Sequence, residues 1–139
     1  PMFRRQMIGA LASAAFLAGL SANVFAADWV EPFPVKGKVT VVDFGAEWCA
    51  SCPEMEALMK KLQKDYGDRA AFVTVDIDKY PGIDDKYLIT SMPTQMFYDV
   101  HGEPIWVHTG ALDEATLRER ADILIDAAEK EKAEAAAKK

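Results

Sequence analysis

Cys49 and Cys52 are the only two cysteines in this 139-residue chain, and they stand three positions apart. The pair follows an apolar β-branched run, Val39-Thr40-Val41-Val42-Asp43-Phe44, and opens a segment of helical periodicity. That position puts the first sulfur at a helix N-terminus, where unpaired backbone N–H groups and the helix dipole favour a thiolate. A thiolate is the nucleophile of disulfide exchange. Cys49 would attack a substrate disulfide, and Cys52, one turn on and more buried, would resolve the mixed disulfide by closing a ring with Cys49. Run in reverse, the same steps oxidise a substrate. Zinc needs about four ligands, and beyond the thiols there are only His101 and His108, in separate segments. A c-type haem site needs His directly after the second cysteine, where Pro53 stands. A purely structural disulfide across so short a loop adds little stability. The alternative retained is a binding module, such as a copper carrier in which Cys49, Cys52 and one histidine converge.

The elements that must hold this pair can be read from periodicity. Residues 39–44 form a strand buried on both faces. Residues 49–66 form a helix whose inner face carries Met55, Leu58, Met59, Leu62 and Tyr66, stopped by Gly67-Asp68. A second strand spans 70–77 and a short helix 83–87. Strands at 94–98 and 105–109 form a hairpin around a turn at 99–103. Asp113 caps a last helix with Leu117, Ala121, Leu124 and Ala128 inward. His101 is expected exposed and idle in the turn, and His108 on the strand surface. Residues 27–38, with Pro32, Pro34 and Gly37, read as an irregular lead-in. Residues 129–139 contain only Ala, Glu and Lys and read as a solvated, fraying tail. A strand–helix–strand opening followed by a hairpin gives an α/β fold with a mixed central sheet flanked by helices.

Composition narrows the function. Half of the residues are hydrophobic and the net charge is −6, which supports a packed core and argues against a nucleic-acid role, because phosphate binding needs positive charge. Arg4 and Arg5 precede an apolar, Ala- and Gly-rich stretch over residues 8–20, and small residues follow up to Ala27. This reads as a cleavable export signal over residues 1–26, with the cut after Ala26. The twin arginines also fit the export route that reads such pairs. A periplasmic location follows as an expectation, with a membrane-anchored form as the alternative.

The chain resembles the thioredoxin family from Val39 to about Leu124. The resemblance rests on Val42-Asp43-Phe44-Gly45-Ala46-Glu47-Trp48-Cys49, on Val75-Asp76-Ile77-Asp78-Lys79-Tyr80-Pro81-Gly82, on Ser91-Met92-Pro93-Thr94, and on Val107-His108-Thr109-Gly110-Ala111-Leu112, in that order. It implies the thioredoxin fold over residues 39–128 and thiol–disulfide oxidoreductase activity. Pro93 would then be cis beside the dithiol, with the backbone of Met92 pairing to an extended substrate segment. Asp43 would be the buried carboxylate that exchanges a proton with Cys52, and an Asp in a hydrophobic strand should indeed hold its proton to raised pH. Trp48 and Gly110 would line the substrate groove. No cofactor is implied, because the dithiol carries the electrons. Protein disulfides or dithiols would be the substrates, a membrane protein the redox partner, and a monomer the default state.

The departures from the family pattern are also informative. Ala50-Ser51 replaces Gly-Pro between the cysteines, and Gly45 stands where Trp is common. Thr74 takes the place of a lysine that often neighbours the buried Asp. Ala57 replaces the helix-kinking proline, while Pro53 follows Cys52. The lead-in is short for the family's first strand and helix, so these are expected to be truncated. The pattern fits an exported protein with a specific task, with the reductase direction favoured.

Overall fold

The computed structural model describes residues 29–138; the export signal expected over residues 1–26 lies outside them. Four strands and three α-helices follow in the order β1 (Val39–Gly45), α1 (Cys52–Tyr66), β2 (Ala70–Asp76), α2 (Ile83–Lys86), β3 (Thr94–Tyr98), β4 (Pro104–Thr109) and α3 (Glu114–Ala137). Single 3₁₀ turns at Gly67–Arg69 and Ile77–Lys79 link α1 to β2 and β2 onward. The sheet order is β2-β1-β3-β4. β1 runs parallel to β2 and antiparallel to β3, and β3 and β4 form the antiparallel hairpin.

β1 is buried along its whole length, and strand alternation sends its side chains into two cores. Val39 and Val41 meet Phe72, Phe97, Met55, Met59, Leu62, Leu117, Ala121 and Leu124 beneath α1 and α3. Tyr66 ties these two helices together, its hydroxyl donating to Asp122 Oδ1 at 2.7 Å. Val42 and Phe44 face the other way, into a cluster with Phe33, Val75, Ile83, Met96 and Tyr98.

This second core is closed in part by the lead-in. Among the described residues, those before β1 hold neither helix nor strand, as the irregular reading expects, yet they are packed. Phe33 is 3% exposed, and its ring centroid lies 5.4 Å from that of Phe44 and 5.5 Å from that of Tyr87. Trp29 meets Tyr80 edge-on at 5.3 Å. Glu31 accepts from the Tyr87 hydroxyl at 2.6 Å and pairs with Lys86 on α2. The Val35 N–H donates to the buried Thr40 Oγ1 at 3.0 Å, which locks the lead-in to β1.

Two expectations change. No break falls at residue 128, because α3 runs unbroken to Ala137; Ala, Glu and Lys are strong helix formers, and the preceding turns are already anchored by Leu117, Ala121, Leu124 and Ile125. His101 is exposed but not idle. Its Nε2 meets Glu131 Oε1 at 2.9 Å, joining the β3–β4 turn to the outer part of α3, and this contact raises the pKa of the imidazole.

Replacing Phe33 by Ala should therefore destabilise the domain by about 3 kcal/mol, the usual cost of deleting a buried aromatic ring. Urea unfolding of the variant checks this. A change within about 0.5 kcal/mol, typical of surface positions, would show that the lead-in is not part of the fold.

Candidate active site

Three physical features place the dithiol. β1 ends at Gly45, which can approach Cys52 closely because it has no side chain. A Cβ built there would lie 3.3 Å from Cys52 Sγ. The chain then turns through Ala46 to Ser51, with the Cys49 N–H donating to Ala46 O at 3.1 Å. α1 starts at Cys52, with Pro53 in its first turn, where the missing N–H costs nothing. The helix thus begins three residues later than its periodicity suggests, and Cys49 lies in the turn ahead of it. Ser51 holds the N-cap position without a side-chain capping bond, and its Oγ lies 3.7 Å from Cys49 Sγ.

Cys49 and Cys52 are joined by a disulfide, with their Cα atoms 5.4 Å apart. Both sulfur-bearing residues are buried, Cys52 at 6% exposure and Cys49 at 7%, so the expected difference between them is in the right direction but slight. Both sit in a small cluster with Ala46, and Ile77 and Met92 pack against it. The Met92–Pro93 peptide bond is cis. Gly110, at φ +100°, donates its N–H to Pro93 O at 2.8 Å, so the exit of β4 is fastened to the proline loop. Trp48, next to Cys49 in the chain, is 68% exposed. His108 Nε2 lies 3.3 Å from Ala111 O. Among the described residues no three His, Cys, Asp or Glu side chains gather as a metal set, so nothing brings a histidine to the two sulfurs. No helix among those residues is long and apolar enough to cross a membrane.

Asp43 is 1% exposed. It pairs in register with Gln95 on β3 and Thr74 on β2, and Gln95 Nε2 donates to its Oδ1 at 2.9 Å. Its Oδ2 is buried with no hydrogen-bond partner among the described residues. Loss of hydration pushes the Asp43 carboxyl up to about 6; the Gln95 hydrogen bond pulls the other way, and the charge of Glu56 adds to the rise. Asp43 and Cys52 line one cavity of about 250 Å³, together with Glu47, Glu56, Thr74 and Asp76. Gln95 and Glu56 were not singled out from the sequence. Gln95 is identified only by the β1–β3 register, and Glu56 only by its place on the cavity.

A disulfide-forming Cys-x-x-Cys at a strand-to-helix junction, flanked by a cis-proline loop and underlain by a buried carboxyl, defines a dithiol–disulfide site. The thioredoxin family model matches residues 23–122, and the chain belongs to the thioredoxin family. It is 40% identical to Thioredoxin-1 of Drosophila melanogaster over 60 residues, which cover 43% of this chain and 56% of that protein. A thioredoxin-like protein of Synechocystis sp. is 28% identical over 99 residues, covering 71% of this chain and 93% of its own length. Among solved structures, Fasciola hepatica thioredoxin superposes with a TM-score of 0.57 at 34% identity, covering 64% of this chain and 83% of that one. Reduced Schistosoma mansoni thioredoxin pre-protein gives a TM-score of 0.56 at 36% identity, covering 64% and 81%. The chain spans little more than half the length of the fruit-fly relatives it matches.

The buried carboxyl makes stability depend on pH. Its folded pKa of about 6 lies above the ordinary value of 3.8, so the fold favours the protonated form. The contribution of Asp43 to stability is greatest below the lower value, falls as pH rises between the two, and stays low above the upper one, by on the order of 3 kcal/mol. Asp43→Asn should remove most of that decline. Denaturant unfolding of both proteins at about pH 4 and about pH 7.5 measures it, and parallel behaviour of the two would contradict the assignment.

Proposed function

We propose that the protein is a thiol–disulfide oxidoreductase that exchanges disulfides with protein substrates through the Cys49–Cys52 couple. The observation that carries this reading is the bonded cysteine pair where β1 meets α1, with Met92 packed against it and the cavity to Asp43 behind it. Starting from the reduced form, the Cys49 thiolate attacks one sulfur of a substrate disulfide, and the other substrate sulfur leaves with the electron pair. The Asp43 carboxylate takes the proton of Cys52. The new thiolate attacks Cys49 Sγ, the Cys49–substrate bond breaks, and the second substrate thiol is released. The protein is left with its Cys49–Cys52 bond and the substrate has gained two electrons.

In this reading Trp48, Met92, Pro93 and Gly110 form the substrate-facing rim. The free backbone of Met92 would pair with an extended substrate segment, in the manner of strand addition. The reductase direction is favoured by the family membership. Export to the periplasm is supported by Arg4, Arg5 and the apolar run over residues 8–20. In that oxidising compartment a reductant has to be recharged, which a membrane redox partner would do.

Cys49→Ser should abolish turnover of a disulfide substrate, while Cys52→Ser should accumulate mixed disulfides that survive non-reducing electrophoresis. Turnover retained without Cys49 would rule out the mechanism. Direction is tested by equilibrating the couple against a thiol buffer. A potential near −270 mV, roughly that of thioredoxin, is expected. A potential nearer about −120 mV would make the protein an oxidant instead.

A further inference from the structure

Asp43 is almost completely buried, yet its Oδ2 is unpartnered among the described residues and the residue lines the cavity it shares with Cys52. That cavity, about 250 Å³, is roomy enough for several water molecules.

The groups around the carboxyl are all neutral or negative. Gln95 faces it from β3 and Thr74 from β2, both uncharged. Glu47 comes from the β1–α1 turn, Glu56 from α1 and Asp76 from β2. Lys60, one helical turn beyond Glu56, pairs with Glu56 Oε1 at 3.2 Å and is exposed; no cation lines the cavity among the described residues. Of the three carboxylates, Glu56 is the one on the helix that begins with Cys52, four residues on and so on the same helical face, and its charge adds to the rise at Asp43.

We propose that Glu56 is a positioning residue for the resolving step: its carboxylate, acting across the cavity, sets the pH range in which Asp43 can take the proton of Cys52. The inference rests on the reading of Asp43 as that proton acceptor. A negative charge at Glu56 disfavours a second one on Asp43, so the resolving step reaches full rate only at higher pH than a neutral cavity would allow. Glu56 touches neither sulfur in this scheme; it works through Asp43.

The test is single-turnover release of a chromogenic aryl thiol from its mixed disulfide with Cys49, followed by absorbance across the acid to mildly alkaline range in the full chain. Glu56→Gln should move the midpoint of the rate profile down by roughly half a pH unit, and Glu56→Lys by about one unit. Glu56→Asp, which keeps the charge, should leave it close to the original. Should the lysine variant fail to fold by circular dichroism, the Gln and Asp variants carry the comparison. Asp43→Asn, which leaves Cys52 to ionise unaided, should slow release and move the midpoint up toward the ordinary thiol value of about 8.5. If it does, and the Glu56→Gln midpoint stays in place or rises, the role of Glu56 is overturned while that of Asp43 stands. If the Asp43→Asn midpoint stays where it was, the Asp43 reading has failed, and this inference fails with it.

Discussion

A carboxylic acid held within a strand buried along its length is the constraint around which this domain is arranged. Ionising Asp43 in that position is costly, and one hydrogen bond from Gln95 offsets only part of the cost. The other oxygen is buried without a hydrogen-bond partner among the described residues, and the residue lines the cavity it shares with Cys52. For this to work, β1 must be the inner strand between β2 and β3, and its register must place Gln95 directly opposite. A slip of one residue would send Asp43 to the opposite face and an apolar neighbour toward the dithiol.

The two cores serve that placement. Under α1 and α3, large apolar side chains hold the helix that begins with Cys52 flat against the sheet. On the opposite face, the strands are covered by α2 and by an irregular segment anchored by Phe33, Trp29 and Glu31. That segment contributes aromatic packing without regular secondary structure, so β1 is shielded on both sides. At the sheet edge, the bond from Gly110 to Pro93 joins β4's exit to the loop that carries Met92 against the sulfurs. Three segments distant in sequence thus meet at one dithiol.

The cysteines, the β-branched run before them and the amphipathic helix after them are legible because each is a local pattern of residue type and period. The hairpin and the cap at Asp113 are legible for the same reason, and Asp113 does accept from the Thr116 N–H at 3.2 Å. Less was visible where composition and context disagree. Residues 129–137 have no apolar face to bury, yet they continue a helix already nucleated and anchored upstream. Phe33 lies in a Pro-rich stretch that reads as a loop, and its burial depends on rings contributed by Phe44, Tyr87 and Tyr98.

By itself, the sequence determined the chemistry available to this protein: two thiols at dithiol spacing, a carboxyl in an apolar strand and a proline-bearing loop. Those follow from residue type and short-range spacing. Only the tertiary structure decided how the groups act together. It set Gln95 against one oxygen of Asp43 and left the other unpartnered among the described residues, placed Asp43 and Glu56 on one cavity, and brought Met92 to the disulfide. Such meetings depend on strand register and on loop closures tens of residues long, and neither is encoded in any single local pattern.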